Sequence, residues 1–112
     1  MTTQQTRTFN SLDPGPYQAQ QTENALRKYV IDWISDEDND ISDSEWTIVT
    51  GTATLSSEAS SETQTSVIIT ANVGFARIVN KVTFADDQVD ERIIKLTVKD
   101  NENGIPNDYG MV

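Results

Sequence analysis

Apolar and polar residues alternate through most of the middle of this chain, with the period of two that a half-buried strand requires. From about Leu26, residues Tyr29, Ile31 and Trp33 fall on one face and Lys28, Val30 and Asp32 on the other. The acidic stretch Asp36-Glu37-Asp38-Asn39-Asp40 interrupts the pattern. It resumes near Glu45, where Trp46 and Ile48 alternate against Thr47 and Val49, and Gly51 ends or bulges that strand. Thr52 to Leu55 suits a further short strand, whereas residues 56–64 are small and polar and read as an exposed connection. Thr65, Val67, Ile69 and Ala71 mark the next strand, and Asn72-Val73-Gly74 turns the chain. The last two strands give the cleanest signal. Ile78, Asn80, Val82 and Phe84 share one face, and after a turn at Asp86-Asp87-Gln88 so do Ile94, Leu96 and Val98. Five or six strands at roughly 10–15-residue spacing, with no long amphipathic helix, predict an all-β fold, an immunoglobulin-like antiparallel β-sandwich over residues 25–100.

The two flanks lack that alternation. Residues 1–24 are rich in Gln, Thr and Asn, are broken by Pro14-Gly15-Pro16, and carry Phe9, Leu12 and Tyr17 as isolated apolar side chains. They read as an N-terminal arm, either a disordered tail or a segment that orders on a neighbouring subunit by burying Phe9 and Tyr17. Composition between Gln18 and Arg27 permits a short helix. Residues 101–112 read as a C-terminal tail, with Ile105, Tyr109 and Met111 available to dock on a partner. On this reading both flanks are extended assembly segments, and deletion of residues 1–20 is expected to leave a folded domain.

Composition narrows the function classes. The chain of 112 residues has no cysteine and no histidine, which excludes a disulfide framework, a thiolate or imidazole metal site, and Ser-His or Cys-His catalysis. A formal net charge of −10 opposes binding to nucleic acid or an anionic membrane, since the eight Lys and Arg read as scattered. No apolar run approaches the roughly 18–20 residues that span a bilayer, and the N-terminus lacks a signal peptide's apolar stretch, so the expectation is a soluble protein.

Candidate chemistry is sparse. Asp36, Asp38 and Asp40 have the spacing of the first three ligands of a calcium loop, but Ile41 stands where the loop needs glycine and Thr47 where it needs glutamate. A solvated inter-strand loop fits better, and no cofactor or metal is expected. Asp90 and Glu91 have no spacing that marks them as an acid/base pair above any other two of the 18 carboxylates, and the chain is not expected to be an enzyme. Arg92 suits a local ion pair that pins the hairpin turn, worth roughly 0–1 kcal/mol if exposed. Trp33 and Trp46 read either as core anchors, alongside Phe84 and Leu96, or as hot spots of a protein interface. Asn80, on an apolar face, has to find buried hydrogen-bond partners and reads as structural.

Four segments in order carry a resemblance. Tyr29-x-Ile31-Asp32-Trp33, Ile41-x-x-Ser44-x-Trp46-Thr47, Val79-Asn80-Lys81-Val82-Thr83, and Asp90-Glu91-Arg92 leading into Ile94-x-Leu96-x-Val98 resemble small immunoglobulin-like proteins of tailed bacteriophages, described as fiber-tail adaptors or neck-associated virion components. The chain departs from their pattern in a longer spacing from Asp13-Pro14 to Tyr29 and in an expanded acidic loop. The resemblance implies a non-enzymatic virion protein, made in the host cytoplasm and present in multiple copies, that joins a neck or tail ring to fibers. Its implied partners are other virion proteins and further copies of itself. A capsid decoration protein and a carbohydrate- or cell-surface-binding module remain as alternatives.

Overall fold

The alternation closes into two four-stranded sheets packed face to face, in a computed structural model that describes residues 5–33 and 40–100. The strands are β1 (Gln5–Asn10), β2 (Tyr17–Thr22), β3 (Arg27–Asp32), β4 (Ile41–Thr50), β5 (Ala53–Ser60), β6 (Gln64–Ala71), β7 (Gly74–Phe84) and β8 (Val89–Lys99). One sheet has the order β1-β3-β6-β5 and the other β2-β8-β7-β4. Among the described residues there is no helix, and the expected β-sandwich is present.

Inward positions at i, i+2 and i+4 build the core. Ala76, Ile78, Asn80, Val82 and Phe84 of β7 face Ile31 of β3 and Val67 and Ile69 of β6 across the sandwich, with Ile94, Leu96 and Val98 of β8 beside them. Trp33, Trp46, Phe84 and Leu96 are all buried in this layer. Burying each Ile, Leu or Val side chain contributes about 1.5–3 kcal/mol, so these strands hold the fold together.

Residues 5–24 are not an arm apart from the sandwich. Gln5–Asn10 pairs in parallel with β3, from Gln5 opposite Arg27 to Asn10 opposite Asp32. Tyr17–Thr22 pairs in parallel with β8, from Tyr17 opposite Ile94 to Thr22 opposite Lys99, where composition had permitted a helix. Phe9 and Tyr17 are buried within their own chain, their rings stacked at 4.5 Å and 2°, and Phe9 lies 6.4 Å from Tyr29. Because β1 and β2 are edge strands of opposite sheets, this stack closes one side of the sandwich. Of the three residues assigned to the arm, Leu12 is exposed, at 72 %.

The sheets are mixed, where antiparallel sheets were expected. The chain runs along β1, crosses to the other sheet through residues 11–16, reverses along β2, and crosses back through residues 23–26. Two crossings restore the original direction, so β3 lies parallel beside β1. A further difference concerns residues 56–60, expected to be a connection. They are the second half of β5, an exposed edge strand with a register break between Ser56 and Ala59 and Ser57 at φ 51°. Edge position explains the misreading: in this half both side-chain rows are wet and show no alternation, yet Ala59 and Ser60 still pair with β6. Ile105, Tyr109 and Met111 lie outside the described residues.

Gly51, between β4 and β5, adopts φ 89°, and a Cβ there would sit 2.4 Å from the Phe75 carbonyl oxygen and 2.7 Å from Ala76 Cα. Backbone on the far side cannot yield as a side-chain end does. Gly51→Ala is expected to destabilise the domain by about 1–3 kcal/mol, seen as a lower urea midpoint at unchanged slope.

Candidate functional site

Three of the segments singled out in the sequence meet at one end of the sandwich, in a buried polar cluster. The Trp33 indole Nε1 donates to Thr65 Oγ1 at 3.0 Å and to Asn80 Oδ1 at 3.1 Å, and the Thr65 hydroxyl donates to the same Asn80 oxygen at 2.6 Å. Asn80 Nδ2 donates to Ser44 Oγ at 3.0 Å and to the Glu45 carbonyl at 3.2 Å. Asn80 thus uses both ends of its amide to tie β6, β7 and β4 to the residue after β3, as its place on an apolar face required.

Arg92 closes this end. Its Nη1 donates to Asp90 Oδ1 and to the Glu91 carbonyl, each at 2.8 Å, and its Nη2 donates to the Ser11 carbonyl at 2.7 Å. The guanidinium lies 5.0 Å from the Trp33 ring centroid. The expected ion pair with Asp90 is present, and the tie to Ser11 adds what the sequence did not foretell: Arg92 fastens the β1–β2 loop to the β7–β8 hairpin. With Trp33 2 % and Trp46 6 % exposed, both tryptophans belong to the core and neither is free to anchor a partner.

A second polar cluster holds β2 in place. Buried Gln21 donates through Nε2 to the Ala25 and Ile69 carbonyls and accepts from the Tyr29 hydroxyl at 2.8 Å. Burial pushes the Tyr29 hydroxyl from its ordinary value near 10 up to about 12, against the lowering influence of Arg27 and Arg7. Burial also raises Tyr17, opposed by Arg92. Both phenols hold their protons more tightly folded than unfolded, so their contribution to stability is complete below pH 10 and is lost as pH rises, for Tyr29 through about 12. The urea midpoint is expected to fall over that window. Tyr29→Phe should flatten the fall while lowering stability at neutral pH, because Gln21 Oε1 loses its donor.

None of these clusters is open to a ligand, so the exterior carries whatever the protein binds. Its charge is grouped by the strand pairing. Asp13, Asp32, Asp40, Asp43, Asp86 and Asp87 gather at the end where the Asp40 carbonyl accepts from Ala85 N and Arg92 meets Ser11. The outward face of β7 and β8 carries Arg77, Lys81, Lys95 and Lys99, half of the eight cations that read as scattered in the sequence, but Lys81 stands in register between Glu45 of β4 and Glu91 of β8, and Asp43 shares that face opposite Thr83. Strand pairing creates that grouping: Arg77 stands opposite Lys95, 18 residues away in sequence, and Val79 stands opposite Ile93. Exposed Phe75, at 79 %, and Ile93, at 36 %, lie among them. Alternation in β7 and β8 contained this face from the start; what it lacked was the register that sets one strand's outward row against the other's.

Asp40 is the one residue of the calcium triplet within the described residues, and there it offers its backbone carbonyl to Ala85. Among the described residues no group of three acidic side chains is placed to hold a metal ion.

No family model matches the sequence, and no curated protein does either. Among solved structures, the chain is similar to the crystal structure of the cysteine protease inhibitor EhICP2 from Entamoeba histolytica, at 11 % identity and a TM-score of 0.49 over 88 % of this chain and 100 % of that one. It is also similar to the solution structure of amebosin, at 12 % identity and a TM-score of 0.44, again over 88 % and 100 %.

Proposed function

We propose that this protein is a non-enzymatic virion component of a tailed bacteriophage, an immunoglobulin-like adaptor at the neck or tail that joins a ring to fibers in multiple copies. One observation carries the reading. The four segments that resemble such proteins, far apart in sequence, converge: Trp33, Ser44 and Asn80 share hydrogen bonds, and Asp90 holds Arg92 beside the Trp33 ring. Residues that work together at one place form a signature of fold, which four unrelated short matches would not.

Further support comes from topology and surface. With β2 set aside, β1-β3-β6-β5 and β4-β7-β8 follow the strand order of the two sheets of a seven-stranded immunoglobulin domain. The absence of histidine and cysteine favours a binding role over catalysis. A rigid sandwich with an acidic end and an outward β7–β8 face that exposes Phe75 beside Arg77 and Lys95 offers surface for docking, which is what an adaptor needs. Assembly takes place in the host cytoplasm, and the mature location is the virion.

Immunogold labelling of purified particles, with an antibody raised to this chain, tests the proposal. Label confined to the neck or tail supports it. Label over the head would replace the adaptor with a decoration protein, and particles free of label would overturn the virion assignment altogether.

A further inference from the structure

We propose that two copies of this chain pair face to face through the outward side of β4, β7 and β8, about a twofold axis that crosses the strands at Val79 and Ile93. The inference concerns the isolated chain and stands without the virion reading.

Register sorts this face into rows. Asp43, Thr83 and Val89 form the row at one end, and Glu45, Lys81 and Glu91 the next. Thr47, Val79 and Ile93 make an uncharged middle row. Beyond it come Thr50, Arg77, Lys95 and Gln18, and then Phe75 and Thr97. Charge is therefore graded along the strands, from carboxylates on one side of the middle row to cations on the other. Two features mark the face as lacking a partner within the single domain. Arg77 and Lys95 stand directly opposite each other, which destabilises a sheet, and among the described residues no carboxylate forms an ion pair with either. Phe75 exposes 79 % of its surface, and Val89 and Ile93 are exposed on the same side.

A second copy fits this gradient. Rotation about an axis lying in the face, across the strands at the middle row, exchanges the rows on either side of it. Glu91 of each copy then comes over Lys95 of the other, Val89 over the row of Phe75, and Ile93 over its own equivalent. Arg77 comes over Lys81, which has Glu45 and Glu91 on either side. Such a contact is isologous, so it uses up the face and closes at two copies. Three strands about 4.8 Å apart and about 37 Å long give about 1,000 Å² over both copies, the low end for a specific interface, so the dimer is expected to depend on concentration. The net charge of −10 opposes pairing only at long range, because at physiological salt the screening length is about 8 Å while charges in contact still attract. Nucleic acid is the competing occupant of a face with two cations beside an exposed ring, but Asp43, Glu45 and Glu91 on that same face repel a polyphosphate.

Sedimentation velocity on the full chain, with thermal melts alongside, tests the pairing. Wild-type protein is expected to pass from monomer to dimer with rising concentration and to form nothing larger. Lys95→Glu should weaken the dimer by about tenfold or more, because the introduced carboxylate meets Glu91 of the other copy. It should at the same time raise the melting temperature, because that carboxylate also stands opposite Arg77 in its own sheet. A residue serving only the fold could not move those readings in opposite directions. Glu91→Lys should weaken the dimer likewise, yet an equal mixture of the two variants should restore dimers, since each opposing pair then joins a carboxylate to an ammonium. The proposal is overturned if the wild type stays monomeric up to about 1 mM or grows beyond the dimer, if Lys95→Glu associates as the wild type does, if the mixture stays monomeric, or if a single-stranded oligonucleotide binds the face in place of a second copy.

Discussion

Deletion of residues 1–22 is expected to abolish the folded state, with no cooperative urea transition and collapsed amide dispersion. The deletion removes an edge strand from each sheet, exposing the backbone of β3 and β8 along their full pairing rows. Phe9, Tyr17, Ala19 and Gln21 leave the core. Tyr29 loses both its stacking neighbour and the amide that accepts its hydroxyl proton, and Arg92 loses the Ser11 carbonyl. Removing one buried aromatic typically costs about 3–5 kcal/mol. Two of them, with their strands, exceed much of the roughly 5–15 kcal/mol by which a domain is stable. A truncated chain that unfolds cooperatively at the wild-type midpoint would show that β1 and β2 are dispensable after all.

Trp33→Ala is the second large effect. The indole fills the space between Phe84, whose ring is 6.1 Å away at 75°, and the Arg92 guanidinium, and it donates to both Thr65 and Asn80. Loss of the ring alone costs about 3–5 kcal/mol, and Arg92, itself mostly buried and with its Nε unpartnered, then faces a cavity. Trp33→Phe separates the two contributions: it keeps most of the packing and removes the donor, with an expected loss of about 1–3 kcal/mol. Urea denaturation of the pair checks both figures, and equal losses would mean that the hydrogen bonds, and not the ring, supply the stability.

The central strands were legible because both conditions for reading them hold there. Ile78, Val82, Ile94, Leu96 and Val98 are apolar, inward and spaced by two, and their outward neighbours are mostly polar or charged. β2 meets the second condition but not the first. Its inward residues are Tyr17, Ala19 and Gln21, and only the hydrogen bonds to Ile69, Ala25 and Tyr29, residues outside its own strand, make a glutamine a core residue. In β1, Phe9 stands alone among threonines, asparagine and arginine, so no periodicity can be counted. The second half of β5 fails for the opposite reason, having no buried side chain from which to count, whereas Ala53 and Leu55 in its first half pack against the core. The candidate surface was hidden by register. Arg77 and Lys95 look scattered along the chain, and only the pairing of β7 with β8 makes them neighbours. Asn80 was the exception, since a polar residue on an otherwise apolar face announces that partners must converge on it.

The most direct test of an adaptor role is a cryo-EM map of the intact particle, with this chain located and its copies counted. The expected result is a ring of copies around the portal-tail axis, with β1 and β2 inside each domain and not exchanged between them. Copies dispersed over the icosahedral shell, or absent from the particle, would contradict it.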